Sequence, residues 1–287
     1  MRWRDARRSR NVEDYRGGGG GGGLGRLGLG GVAAVVVISL LLGKNPIEML
    51  ALVSGLAGGG PTTTQSAEPS ADNQQNREFV SAILGETEDV WGAIFQTNGA
   101  QYQQPRLVLF SGAVQTACGG ASSASGPFYC PGDQRVYLDT GFFEEMHARL
   151  GGGGDFAEAY VIAHEVGHHV QTLTGVSAQV SEARRAGREV GGDGGLLVRQ
   201  ELQADCYAGL WAHQAQQRHQ WLEPGDIEEA LNTASAIGDD RLQKQVQGTV
   251  VPDAFTHGTA EQRVRWFKRG FISGAMADCD TFAARGL

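Results

Sequence analysis

The sequence of 287 residues predicts an α+β protein: a helix-rich domain with a small sheet, preceded by one N-terminal transmembrane helix. Three observations lead to this prediction. Long segments carry apolar residues at the 3.6-residue period of amphipathic helices. Two short runs are rich in Val, Leu and Tyr, which is typical of strands. Near the start of the chain, an apolar stretch without any charge is long enough to span a membrane.

The first 26 residues form a basic, glycine-rich segment that we interpret as a cytoplasmic tail. They contain seven arginines and three acidic residues, a charge of +4, whereas the whole chain has a net charge of −8. The remaining residues therefore carry −12. A basic tail on an acidic body argues against a nucleic-acid-binding protein, because such a protein would carry its basic surface on the folded domain.

Residues 27–43 are the predicted transmembrane anchor. They read LGLGGVAAVVVISLLLG, without a charge, between Arg26 and Lys44. This stretch is near the short end of the range for a single span, which needs about 17–25 apolar residues. The preceding arginines place the N-terminus inside and the domain on the extracytoplasmic side of a bacterial cytoplasmic membrane, in a single-pass arrangement. A cleaved signal peptide is the alternative, but its apolar core would begin closer to the N-terminus.

Residues 44–76 are interpreted as a flexible linker, because their Gly, Pro, Ser, Thr, Gln and Asn residues cannot build a core. Residues 77–287 then form one folded domain. We expect its first helix near Glu78–Gln96 and its strands at Arg106–Ser111 and Gln134–Asp139. In a cleft enzyme, the edge of the second strand could pair with an extended peptide.

Four cysteines in a domain predicted to lie outside the cytoplasm favour disulfide bonds. Cys118 and Cys130 bracket a Gly- and Ser-rich loop and are the natural first pair, which leaves Cys206 and Cys279 for the second. Four cysteines allow three pairings, and the sequence alone does not choose among them. A cysteine-based zinc site is disfavoured, because no Cys-x-x-Cys spacing occurs.

The strongest chemical signal is the motif His164-Glu165-Val166-Gly167-His168, in a helical segment that starts near Asp155. Residues four apart lie on one face of a helix, so the two histidines can bind one tetrahedral zinc ion at about 2.0–2.1 Å. Glu165 would lie beside the metal, where it suits a general base that takes a proton from zinc-bound water. The alternative is a pair of exposed histidines on a surface helix.

A catalytic zinc site needs a third protein ligand and one open position. Glu201 is the best candidate, 37 residues after His164 on the next long helix. Asp205 follows four residues later on the same face and can accept the second ring N–H of His164. The alternative is a solvated acidic face, but the apolar neighbours indicate a mostly buried helix, where a carboxylate needs a partner.

Three side chains are candidates for stabilising the oxyanion of a tetrahedral intermediate. His257 lies in a predicted loop that can reach the site, although a structural role is the alternative. Tyr129 and Tyr160 are weaker candidates, because most such tyrosines are core residues with a bonded hydroxyl. His169 lies about 100° around the helix from His168 and cannot join the same metal.

The segment His164–Gln171 resembles the metal-binding helix of the zincin metallopeptidases, and Glu201 with Asp205 resembles the Glu-x-x-x-Asp helix of their gluzincin branch. About residues 78–285 look like the bacterial family of neutral zinc metallopeptidases. The matching stretches are TACGGASSASGPFYCPGDQRVYLD, DFAEAYVIAHEVGHHVQ, ELQADCYAGLW, AIGDDRLQ and FTHGTAEQRVRWFKRGF. The resemblance implies a zincin-like fold, one zinc ion on His164, His168 and Glu201, and peptide hydrolysis with Glu165 as the base.

The leading hypothesis is therefore a membrane-anchored zinc metallopeptidase that acts on peptides or proteins, contacts the lipid bilayer through its N-terminal helix and binds no nucleic acid. Two alternatives stay open. The protein could be a non-catalytic envelope scaffold that keeps zinc for structure, or a zinc amidase that acts on cell-wall material. A structural zinc site is closed by four protein ligands, which distinguishes the first alternative.

Overall fold

The computed structural model describes residues 1–16, 71–149 and 154–287. The predicted anchor, residues 27–43, and most of the predicted linker lie outside these residues. Within the described ranges, no helix is both long enough and apolar enough to cross a bilayer.

Helices make up most of the described structure, as the sequence predicts. They are α1 (Ala71–Thr97), α2 (Gly141–Arg149), α3 (Asp155–Leu173), α4 (Val176–Arg185), α5 (Leu196–His219), α6 (Asp226–Ala236), α7 (Asp239–Gln247) and α8 (Ala260–Ser273). The predicted linker ended at residue 76, whereas α1 already begins at Ala71. That boundary was wrong, because the polar residues before Glu78 continue the helix that the apolar residues after it establish.

The strands are β1 (Val12–Asp14), β2 (Arg106–Phe110), β3 (Ala113–Thr116), β4 (Gly119–Ser122), β5 (Phe128–Cys130) and β6 (Arg135–Asp139). A four-stranded sheet lies beside the helices, in the order β1-β2-β6-β5. Strand β1 pairs parallel to β2, β2 pairs parallel to β6, and β5 pairs antiparallel to β6. A separate antiparallel pair, β3 and β4, comes between β2 and β5 in the chain. The fold is therefore α+β, with β5 rather than β6 at the sheet edge.

The helices α3, α5 and α8 form the centre of the domain. Gly270 of α8 lies against the carbonyl oxygen of Cys206 in α5, where a Cβ atom would collide with the backbone. The disulfide between Cys206 and Cys279 ties the end of the chain to the same point of α5. A second disulfide joins Cys118 to Cys130 at the end of β5. These are the pairings that the spacing favours.

The first 15 residues belong to the folded domain, and their assignment to a separate tail was wrong. They form one compact unit with residues 70–287. Trp3 is buried and its indole nitrogen donates to Asp155 at the start of α3, at 2.8 Å. Val12 of β1 pairs with Leu107 of β2. The arginine-rich composition does not predict this packing, because the contacts that bury the segment are made with residues far along the chain.

The pairing of β1 with β2 also bears on the predicted membrane orientation. Two strands that share backbone hydrogen bonds lie on the same side of any bilayer. The predicted single-pass arrangement puts residues 1–26 inside and the domain outside, and would separate β1 from β2. The pairing of β1 with β2 therefore argues against that orientation.

Candidate metal centre

The motif helix α3 crosses α5 at close range. Gly167, between the two motif histidines, faces Ala204, and a Cβ atom at Gly167 would lie 3.1 Å from the Cα atom of Ala204. A small residue is needed here for the two backbones to approach. The contact brings the face of α3 with His164 and His168 opposite the face of α5 with Glu201 and Asp205.

Three potential ligand atoms converge between these helices. Oε2 of Glu201 lies 3.2 Å from Nε2 of His164 and 3.4 Å from Nε2 of His168. The ligand atoms of the three residues all lie within 4.8 Å of one another. Tetrahedral zinc bonds of about 2.0–2.1 Å put ligand atoms about 3.3–3.4 Å apart. Two imidazoles and one carboxylate at these distances fit a metal ion such as zinc.

The ring of His164 is oriented by a buried charged network. Its Nδ1 lies 2.9 Å from Oδ1 of Asp205, which leaves Nε2 free for a metal. Arg263 of α8 donates to both oxygens of Asp205, at 2.9 Å each. The hydroxyl of Tyr160 donates to Oδ1 of Asp205 at 2.5 Å. Asp205, Tyr160 and Arg263 are all buried.

The ring of His168 is oriented by a neutral side chain. Its Nδ1 lies 2.9 Å from Oε1 of Gln171, one turn further along α3. The amide nitrogen of Gln171 donates to the carbonyl oxygen of Gln200 at 2.6 Å and to Gln203 at 3.1 Å. These two bonds fix which end of the amide faces the histidine. Nε2 of His168 is thereby directed to the same point as Nε2 of His164.

The charges around the site shift the pKa values of the ligands. Burial lowers the pKa of His164, but the Asp205 and Glu201 carboxylates together raise it to about 10. Burial raises the pKa of Asp205, but the Arg263 guanidinium and His164 together hold it below the usual value. The pKa of Glu201 is lowered by the two histidines despite its burial. Without a metal, His164 is therefore a cation at neutral pH, and a metal must displace its proton.

The metal-binding group opens into a cleft of about 420 Å³. Glu165 lines this cleft beside the ligands, as the motif predicts for a base. His257 also lines it, and its Nδ1 lies 3.3 Å from Asp239 and 2.8 Å from the hydroxyl of Thr256. The hydrogen bond that His257 donates to the Asp239 carboxylate raises the pKa of His257, although its burial acts in the opposite direction. Both side chains thus line the same cleft as the three potential metal ligands.

The other candidate residues are occupied elsewhere. His169 is buried, with Nδ1 3.1 Å from the Tyr129 hydroxyl and Nε2 2.6 Å from the carbonyl oxygen of Gln103. Its burial lowers its pKa. The Tyr160 hydroxyl is engaged with Asp205 and Arg263 rather than free for an oxyanion. Tyr129 lines the cleft, but its hydroxyl is shared with His169.

Three supporting residues escaped the sequence analysis. Gln171 carries a local signal, because it lies three residues after His168 and so shares its face of the helix. Arg263 and Asp239 carry no such signal. Arg263 comes from α8, 58 residues after Asp205, and Asp239 accepts the backbone N–H groups of Thr256, His257 and Gly258. Their roles depend on contacts between distant segments.

Comparisons with known proteins identify the family of the chain. The family model described as "Putative neutral zinc metallopeptidase" matches residues 1–282, which includes the N-terminal segment that packs into the domain. The uncharacterized protein YpfJ of Escherichia coli K12 is 49% identical over 288 residues, covering 98% of this chain and 99% of that protein. The uncharacterized protein Rv2575 of Mycobacterium tuberculosis H37Rv is 42% identical over 266 residues, covering 87% and 86%. No solved structure matches the chain. The chain therefore belongs to the family of putative neutral zinc metallopeptidases.

Proposed function

We propose that this protein is a zinc-dependent peptidase with a zincin-like fold, which holds one zinc ion on His164, His168 and Glu201. The observation that carries the proposal is the convergence of ligand atoms from these three residues, within 4.8 Å of one another, in the lining of an open cleft. Three protein ligands leave a tetrahedral ion one open position, which is the arrangement of catalytic sites. A structural zinc is closed by a fourth protein ligand, so the open cleft favours catalysis over a scaffold role.

A bound zinc ion would lower the pKa of a coordinated water and polarise the scissile carbonyl. Glu165 takes a proton from the attacking water and can pass it to the leaving amine. His257, positioned by Asp239, donates a hydrogen bond to the carbonyl oxygen as negative charge develops there. The edge strand β5 lines the same cleft and can pair with an extended peptide.

Substitution of Glu165 tests this proposal. We expect Glu165→Gln to lower kcat for peptide hydrolysis by roughly 10²–10⁴-fold, because the general base is lost. Zinc content should stay at one ion per chain, since Glu165 is not a ligand. The matched control is Glu261→Gln, a change at an exposed carboxylate on α8 outside the cleft.

The outcomes separate the alternatives. Equal peptide cleavage by the Glu165→Gln variant would show that the mechanism is wrong. Zinc binding without turnover of a broad peptide library would favour the scaffold. Glu165-dependent cleavage of cell-wall fragments, but not of peptides, would favour the amidase.

We further propose that the protein acts at the extracytoplasmic face of a bacterial cytoplasmic membrane, with residues 27–43 as its contact with the lipid. Two disulfides support an oxidising compartment. Because β1 pairs with β2, the N-terminal strand and the metal centre lie on the same side of that membrane.

Labelling in spheroplasts tests this location. A membrane-impermeant maleimide should react alike with Tyr15→Cys, next to β1, and Ile272→Cys, on α8, since both positions are exposed. Protection of Tyr15→Cys alone would restore the single-pass orientation. Protection of both would place the domain in the cytoplasm.

A further inference from the structure

Away from the metal centre, most of the residues that line the cleft are apolar. They include Pro127, Phe128, Phe142, Ile237 and Leu242. The charged groups among the described lining residues belong to the metal centre or its immediate support. Even the lining guanidinium, Arg263, is neutralised by two hydrogen bonds to buried Asp205. No charge is left free in this part of the cleft to select a charged substrate side chain.

Exposed apolar side chains continue from the cleft to the surface. Most of the large apolar side chains that are exposed in the described part of the chain lie in one short segment, at Leu242, Val246, Val250 and Val251. The others in that part of the chain are Tyr15 and Ile272. Leu242 also lines the cleft. Val246 is 85% exposed, against 36% for Leu242. Exposed apolar side chains that begin at a cleft are typical of an interaction site.

The spacing of these residues fits an extended polypeptide. Leu242 and Val246 are four residues apart on α7, so they share one face and lie about 6 Å apart along the helix axis. An extended chain advances about 3.3 Å per residue, so a peptide bound at Leu242 reaches Val246 about two residues later. Side chains two apart in an extended strand point to the same side. One peptide can therefore contact both residues.

We propose that the enzyme selects polypeptides with apolar side chains close to the scissile bond, and that Leu242 and Val246 bind two such side chains on one side of the metal. This inference rests on the proposed peptidase function. The competing occupant is an anionic membrane surface, since Arg241 and Lys244 are exposed on the same helix. Continuity with the cleft that holds the metal ligands favours the substrate, because a flat bilayer would not follow Leu242 into the cleft.

A peptide library cleaved by the full-length wild-type protein tests the substrate class. Cleavage sites read by mass spectrometry should favour apolar over charged residues near the scissile bond by roughly 10- to 100-fold in kcat/KM, the range for apolar pockets. Glu165-dependent cleavage without such a preference would overturn this inference while leaving the peptidase intact. A wild-type protein that binds zinc and cleaves no peptide would overturn both.

Two variants test the residues. Leu242→Lys and Val246→Lys should each lower kcat/KM for apolar peptides at least tenfold, mainly through KM, and shift the preference toward acidic residues. Ile272→Lys is the matched control, because Ile272 is 77% exposed and lies on α8 outside the cleft. Zinc content should be unchanged in all three.

Binding measurements separate the two occupants without turnover. The Glu165→Gln protein should bind a fluorescent apolar peptide, and adding Leu242→Lys or Val246→Lys should weaken this binding at least tenfold. If these two changes instead altered only binding to vesicles of phosphatidylglycerol and phosphatidylethanolamine, the surface would be a membrane contact and the proposal would be wrong.

Discussion

The two motif histidines are held by chemically different partners. His164 donates to Asp205, a buried carboxylate that is itself bound by Arg263 and Tyr160. His168 donates to the neutral amide of Gln171 on its own helix. One ring is thus fixed by a charged network that joins three helices, and the other by a short-range amide contact within α3.

This difference predicts unequal contributions to folding and metal binding. A carboxylate partner makes a histidine more basic and a stronger metal ligand, whereas an amide mainly fixes the ring orientation. Removing one partner of a buried ion pair, however, strongly destabilises the folded protein, because the other charge stays buried without a counter-charge. His164 should therefore be the more sensitive of the two positions in stability, in metal affinity and in proton balance.

The largest effect is expected for Asp205→Asn. The change leaves the Arg263 guanidinium buried without its counter-charge, so the free energy of unfolding should fall by about 3–5 kcal/mol. Zinc affinity should fall roughly 100-fold, the upper end for residues that orient a metal ligand. Urea unfolding and competition with a chelator measure the two quantities. If Asp205→Asn and Gln171→Ala lowered stability and zinc affinity by equal amounts, the predicted difference between the two histidines would be wrong.

A double substitution sharpens the same point. Asp205→Asn with Arg263→Met removes both charges, so most of the lost stability should return while zinc affinity stays low. The reason is that the unpaired charge is gone, but His164 still lacks its carboxylate. If stability and zinc affinity recovered together, the network would act on folding alone.

The distance along the chain between contacting residues decided which parts of the site the sequence predicts. His164, His168, Glu201 and Asp205 follow from helical periodicity, because residues four apart on a helix share a face. Arg263 lies on α8 and reaches Asp205 only through the packing of α8 on α5, which no local pattern encodes. Sequence reasoning therefore finds the carboxylate that orients His164 but not Arg263, the counter-charge that keeps this carboxylate ionised in a buried position.

The prediction for the N-terminal segment was wrong for a related reason. Its arginines and the glycine run after it have the composition of a tail, and only the buried indole of Trp3 and the pairing of Val12 with Leu107 show otherwise. Helices α1, α3 and α5 and the strands β2 and β6 were predictable because periodicity and residue type act locally. A three-residue strand such as β1 or β5 is too short to give such a signal.

The next effect concerns protons. The pKa of His164 is raised to about 10 in the metal-free protein, so this ring is charged at pH 7 and must lose a proton to bind zinc. Zinc affinity should therefore rise with pH, about tenfold per unit for each proton released, between pH 7 and the pKa. Calorimetry in buffers of different ionisation enthalpy measures the release. Zinc binding to the Asp205→Asn protein should release about one proton fewer than binding to the wild type. Zinc binding to the Gln171→Ala protein should release the same number as the wild type.

The smallest effect is expected for Gln171→Ala. It leaves the Nδ1–H of His168 and the carbonyl oxygen of Gln200 without their partner, which should lower the free energy of unfolding by about 1–3 kcal/mol. Zinc affinity should fall only about tenfold, because the ring loses its orientation but no charge. Gln179→Ala, at an exposed position on α4, is the matched control and should change neither quantity. A Gln171→Ala variant that lost as much zinc affinity as Asp205→Asn would mean that ring orientation, rather than the charge of the partner, governs metal binding at both histidines.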